Sequence, residues 1–164
     1  MKPLLLCIIP LALSFFAPRL QASKEGPLSS YFPGADSVYL VKVVSVDKDK
    51  VVFSITEPLR GPAITTLTLK PEFDLTFKKD SEYVILSALG WRTGQRGGLV
   101  GSFMKGDIGW IYSPVERDGK DVYVYGNAME NGRFVNDKPA DDHGWGWLTL
   151  DHFKRLLQTT PLKP

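Results

Sequence analysis

The sequence predicts a mainly β protein of five to six antiparallel strands with one C-terminal α-helix. Three observations lead there. Between Ala35 and Ala88, four apolar runs (residues 38–46, 51–55, 64–69 and 83–88) are separated by short polar or Gly/Pro breaks, the pattern of a β meander. Asp118-Gly119 and Asn131-Gly132 are hairpin-turn dipeptides in the second half of the chain. Near the end, Leu150, Phe153, Leu156 and Leu157 recur at helical spacing.

Each element has its own reason. Residues 23–34 are rich in Ser, Gly and Pro and predict an extended lead into a single domain over 35–164. The first strand opens at Ala35-Asp36-Ser37 and is largely apolar on both faces, Val38, Leu40, Val44 and Val46 on one and Tyr39, Val41, Val43 and Ser45 on the other, so both are expected to be covered. The charged turn 47–50 leads into Val51, Phe53 and Ile55, which alternate with Val52, Ser54 and Thr56 and put one face in the core and one toward water. Pro58 has no N–H for a ladder and is expected to end regular pairing before the corner Leu59-Arg60-Gly61-Pro62. Residues 64–69 and 83–88 supply the third and fourth strands, with Phe73, Leu75 and Phe77 as plugs between them. The glycine-rich stretch 90–98 reads as an exposed loop, followed by short strands at 99–103 and 108–112 and a hairpin turning at Asp118-Gly119. The helix is expected over 149–158, capped by Thr149, with Asp151 in its positive first turn and Pro161 beyond its end.

Residues 1–22 have the pattern of a secretory signal peptide: Lys2 at the start, an apolar region from Leu4 to Ala17, and Leu20-Gln21-Ala22 as the cleavage site. The apolar run falls short of a membrane span and is interrupted by Pro10 and Pro18. The expected location is therefore secreted or periplasmic, with no membrane insertion after cleavage. Removing Lys2 and Arg19 from 20 basic residues leaves 18 against 18 acidic ones, a neutral chain that argues against a nucleic-acid partner. Cys7, the only cysteine, leaves with the same segment, so neither disulfides nor thiol chemistry are expected.

The residues Ala35-Asp36-Ser37-Val38, then Val51-Val52-Phe53-Ser54-Ile55-Thr56-Glu57, Leu59-Arg60-Gly61 and Lys79-Asp80-Ser81-Glu82-Tyr83-Val84-Ile85-Leu86 resemble the netrin-like module of the tissue inhibitors of metalloproteases and their bacterial relatives. The resemblance spans residues 35–88 and, loosely, the final helix. It implies an OB-type barrel with a helix near the C-terminus. Inhibitory members of that family chelate the protease zinc through a mature N-terminal cysteine. No cysteine follows Cys7 here, so that mechanism does not carry over.

The strongest functional signal is aromatic. Trp91, Trp110, Tyr112, Tyr123, Tyr125, Trp145 and Trp147 crowd the second half of the chain, and OB barrels use such rings as stacking platforms. Two of Trp110, Trp145 and Trp147 are expected in the core, with Trp91 exposed. The expected function is a non-enzymatic binding module for a protein or glycan, with contacts at Trp91, Arg92, Arg96, Tyr123 and Tyr125 and no cofactor. The alternative is a small metal-assisted hydrolase using Asp141, Asp142 and His143, residue types that bind zinc or a similar cation. His152 reads as a surface residue. No Gly-x-Ser-x-Gly elbow or phosphate-cradling glycine loop is present.

Overall fold

Strict alternation on long strands builds one sheet with two buried faces. In the computed structural model, which describes residues 27–71, 75–91, 101–103, 108–139 and 145–162, strand β1 (Ser37–Val46) sends Val38 and Leu40 into one core and Tyr39, Val41 and Val43 into the other. Its partners β2 (Val51–Arg60) and β4 (Glu82–Leu89) flank it antiparallel, and β3 (Thr66–Pro71) continues from β2. Strand β4 divides in the same way, with Val84 and Leu86 on the first face and Tyr83 and Ile85 on the second. A sheet covered on both sides needs apolar residues at consecutive positions, which is what these runs provide.

Strands β5 (Gly101–Phe103), β6 (Ile108–Asp118), β7 (Asp121–Tyr125), β8 (Ala128–Glu130), β9 (Arg133–Val135), β10 (Lys138–Pro139) and β11 (Gly146–Thr149) follow, then the helix α1 (Leu150–Thr159). Nine strands share one antiparallel sheet in the order β10-β11-β7-β6-β4-β1-β2-β3-β5, and β8 and β9 form a separate ribbon. The long strand β6 organises the second half. Ile108 to Pro114 pair with β4, and Val115 to Asp118 pair with β7. The turn after β8 is the one its dipeptide predicts, with Asn131 and Gly132 at φ 49° and 74°, the left-handed pair a type I′ hairpin requires. After β6 the loop is Gly119-Lys120, one residue on from the predicted Asp118-Gly119, because Asp118 pairs with Asp121; Gly119 has φ 61°.

The first face is closed by α1 and by a 3-10 helix, Leu28–Gly34. Phe32 and Phe153 are both fully buried and meet edge to face at 5.0 Å. The second face gathers Val51, Phe53, Leu69, Phe77 and Trp110, so Phe77 is the expected plug. Thr149 caps α1, its hydroxyl accepting from the His152 N–H at 3.3 Å. Thr149→Ala is expected to lower stability by about 1 kcal/mol, read as a lower urea midpoint at unchanged m-value.

Several expectations need correction. The antiparallel β class and the C-terminal helix are observed, but the sheet has more strands than a five- to six-stranded barrel, because β6 runs on past β4 and recruits β7, β11 and β10. Residues 28–34 are not an extended lead: they form the 3-10 helix, and Leu28 and Phe32 are buried in the first core. Pro58 does not end β2. It lies opposite Tyr39 between two register shifts, where a bulge relieves it of donating, and the Thr56 hydroxyl donates to the Leu40 carbonyl at 3.0 Å. Val44 and Val46 are exposed rather than covered, because they lie past Lys42, where β1 no longer pairs with β4. The third strand starts at Thr66, leaving Ile64 exposed, and β6 reaches Asp118 rather than Tyr112. Residues 1–22, the rest of the lead to Gly26, Phe73 and residues 92–98 of the glycine loop lie outside the described residues. Among the described residues no helix is long and apolar enough to cross a membrane.

Candidate functional site

Period two on β7 and β11 lays out an aromatic face. Val124 and Leu148 pair across the two strands and point into the core. Their neighbours Tyr123, Tyr125 and Trp147 therefore point outward, all half-buried, with Trp147 directly opposite Tyr125. Trp145 stacks on Tyr125 with centroids 6.4 Å apart and planes 21° apart, while Trp147 meets Tyr125 edge-on at 5.1 Å. Gly146 between the tryptophans is obligatory, since a Cβ there would fall 2.3 Å from Cγ of Asn136. On the other side Ser113, itself buried, donates its hydroxyl to the Tyr125 carbonyl and fixes that strand end.

A polar rim borders the rings. Lys138 Nζ stands 5.1 Å over the Tyr123 ring and 3.5 and 3.8 Å from the carboxylates of Glu116 and Asp118. The backbone holds this rim in place, with the Asp137 N–H donating to the Trp147 carbonyl at 2.8 Å.

Next to the rim, Asp137 and Glu130 flank His152. Asp137 accepts from the Thr149 N–H at 2.6 Å and the Thr149 hydroxyl at 2.9 Å, at the positive end of α1. Desolvation opposes its ionised form, but these bonds together with His152 outweigh it, and the Asp137 carboxyl sits below its usual range. Burial likewise opposes the His152 charge, yet hydrogen bonds to Glu130 and Asp137 and the Asp137 charge dominate, so the imidazole is raised above its ordinary value. Because the two carboxylates occupy opposite ring nitrogens, they do not converge on a common point. No group of three or more His, Cys, Asp or Glu among the described residues is placed to hold a metal ion.

The predicted site residues separate. Tyr123 and Tyr125 share one face as expected, but Trp91 does not join them. Its indole packs on Gly34 and meets Tyr31 edge-on at 6.0 Å, and its backbone lies against Gly109. Gly109 is at the start of β6, whereas Tyr123 pairs with Glu116, seven residues further along, roughly 23 Å for an extended strand. Trp91 is thus a half-buried wall of the first core rather than an exposed ring. Of the other three tryptophans only Trp110 is in the core; Trp145 and Trp147 lie half-buried on the aromatic face. Arg92, Arg96, Asp141, Asp142 and His143 lie outside the described residues. His152, expected at the surface, is held between two acids with its side chain 10% exposed.

The sequence reading passed over Trp145, Trp147 and Lys138 as site residues. The crowding of aromatic residues and the alternation of Trp147 with Leu148 point to the two tryptophans, while no local pattern points to Lys138. A shallow depression of about 130 Å³ between β2 and α1, lined by Glu57, Pro58, Leu59, Lys154, Leu157 and Gln158, is smaller than ligand pockets usually are. Comparison with protein-family models, with curated proteins and with solved structures gave no match.

Proposed function

We propose that the protein is an extracytoplasmic, non-enzymatic binding module whose ligand is a glycan, held on the aromatic face of β7 and β11. The observation that carries this reading is the set of outward rings, Tyr125 with Trp145 nearly parallel to it and Trp147 edge-on, bordered by Lys138, Glu116 and Asp118. Sugar rings offer apolar C–H faces to such surfaces and hydroxyls to a polar rim. The non-enzymatic part draws on His152, whose two ring nitrogens are both engaged by carboxylates and so do not face a substrate. The address draws on the signal-like pattern of residues 1–22.

The finer OB-like and netrin-like assignment belongs to the same proposal. It draws on the short ladder Gly101↔Trp110 and Ser102↔Gly109, which joins β5 at the end of the sheet order to β6. An OB barrel that binds oligosaccharides across one face and its loops suits this ligand class.

A thermal-shift panel of soluble oligosaccharides tests the reading. A bound saccharide at about 100 times its Kd adds about 2.7 kcal/mol, several degrees of Tm. Trp147→Ala and Tyr125→Ala are each expected to weaken that binding by roughly tenfold or more, as central interface aromatics do. Silence across the panel, or undiminished binding by Trp147→Ala, overturns it.

A further inference from the structure

The His152 ring faces two acceptors. Nε2 lies 2.9 Å from Oε1 of Glu130 on β8, and Nδ1 lies 2.9 and 3.0 Å from the two carboxylate oxygens of Asp137. An ionised carboxylate only accepts, so both ring nitrogens have to donate, and only the imidazolium has two N–H groups. We propose that His152 is a proton-operated latch: when protonated it ties the β8–β9 ribbon to α1, and on losing its proton it releases the ribbon while keeping its hold on Asp137.

The asymmetry follows from what else holds each acid. Asp137 is fixed by the Thr149 N–H and hydroxyl whatever the state of the ring, and a neutral imidazole keeps its one N–H at Nδ1 for it. Glu130 is held less firmly. Among the described residues its other ion pair is Arg155 at 3.8 Å, from a side chain 65% exposed. Deprotonation therefore turns a ring lone pair toward the Glu130 carboxylate, and attraction becomes repulsion. The ribbon's remaining ties are the buried Ala128, the half-buried Val135 and the Met129 N–H donating to the Ser29 hydroxyl at 2.9 Å. Beyond them Met129 and Phe134, directly opposed, stand exposed on the outer side.

The charged groups around the ring are few. Glu130 comes from β8, with Arg133 opposite it on β9, Asp137 from the segment ahead of β10, and Arg155 and Asp151 from α1 itself. Strand β11 and the 3-10 helix contain no charged residue, and Asp121 of β7 pairs at the far end of its strand, opposite Asp118. The raised His152 gives stability that is complete below its unfolded value near 6.5 and is lost as pH rises through the folded value. The lowered Asp137 gives stability present above about 3.8 and lost as pH falls through its own folded value. The latch is closed between those two folded values, at mildly acidic pH, and opens on the alkaline side through His152. This inference does not rest on the saccharide reading, and its test uses no ligand.

Hydrogen exchange of the full chain, corrected for intrinsic rates, distinguishes the outcomes. From about pH 5.5 to about pH 8.5 the amides of residues 128–135 are expected to lose protection by roughly tenfold or more, the equivalent of one charge-assisted hydrogen bond, while those of β1 and β4 keep theirs. In His152→Gln, ribbon protection should be low and independent of pH. Wild-type ribbon protection that is flat with pH overturns the proposal, and so does a pH dependence that persists in His152→Gln. Should His152→Gln also expose β1, Glu130→Gln carries the test, since it leaves the helix and Asp137 intact. A ribbon insensitive to pH in that variant supports the latch, and an unchanged pH dependence overturns it.

Discussion

Arg60→Met is expected to lower the stability of the protein by about 3 kcal/mol, a loss well beyond that of an ordinary surface arginine. The guanidinium donates to four backbone carbonyls from both ends of the chain. Nη1 reaches Phe32 at 2.6 Å and Ala35 at 3.3 Å, while Nη2 reaches Leu157 at 2.5 Å and Thr160 at 3.1 Å. Helix α1 has no basic residue in its own last turn, so Arg60 supplies from β2 the cation and the donors its C-terminal carbonyls need. Methionine keeps the apolar stem and removes all four bonds. Burial lowers the Arg60 pKa from its ordinary value, but an arginine stays charged at neutral pH, so the contribution does not titrate there. Arg60→Lys should recover only part of the loss, because a point ammonium does not span two pairs of carbonyls. Urea midpoints at constant m-value give the comparison. A Met variant within 0.5 kcal/mol of wild type, roughly the range of a neutral surface substitution, would remove Arg60 from this role.

Trp110 carries the second large effect. It is fully buried in the second core, and its ring lies 6.2 Å from both Phe77 and Tyr112. Trp110→Ala is expected to cost about 3–5 kcal/mol, the transfer and cavity loss of a large aromatic. Trp110→Phe should cost much less, below about 1.5 kcal/mol. Among the described residues the buried indole Nε1 has no hydrogen-bond partner, and phenylalanine removes that polar group together with the volume. Thermal or urea unfolding of both variants checks the difference. Equal losses would mean that cavity volume does not govern the site.

Local rules made much of the fold readable in the sequence. Both faces of β1, the Asp118-Gly119 and Asn131-Gly132 hairpins and the Thr149-capped helix each follow from residues within a few positions of one another. What was not readable depends on pairing between distant segments. Arg60 finds Thr160 100 residues away, and His152 finds Glu130 and Asp137 at separations of 22 and 15, because a ribbon and a loop fold back onto the helix. Trp147 meets Tyr125 only once β11 has paired with β7, which leaves local sequence with the alternation but not the partner. Pro58 misled for a related reason: a missing N–H ends a ladder only where a ladder bond is due there, and the extra residues Leu59 and Thr56 on either side of it in β2 break that requirement.

The meeting of Phe32 with Phe153, clasped by Arg60, also sets the order in which the protein can be completed. A chain made from its N-terminus forms β1 to β4 while the lid of the first core is still unsynthesised, so Phe32, Val38 and Leu86 wait for α1 with their apolar surface exposed. Long-range closure of this kind makes folding slow and leaves the intermediate adhesive. Helix α1 therefore acts as a release step: until it emerges, the nascent sheet needs shielding, for instance by a chaperone.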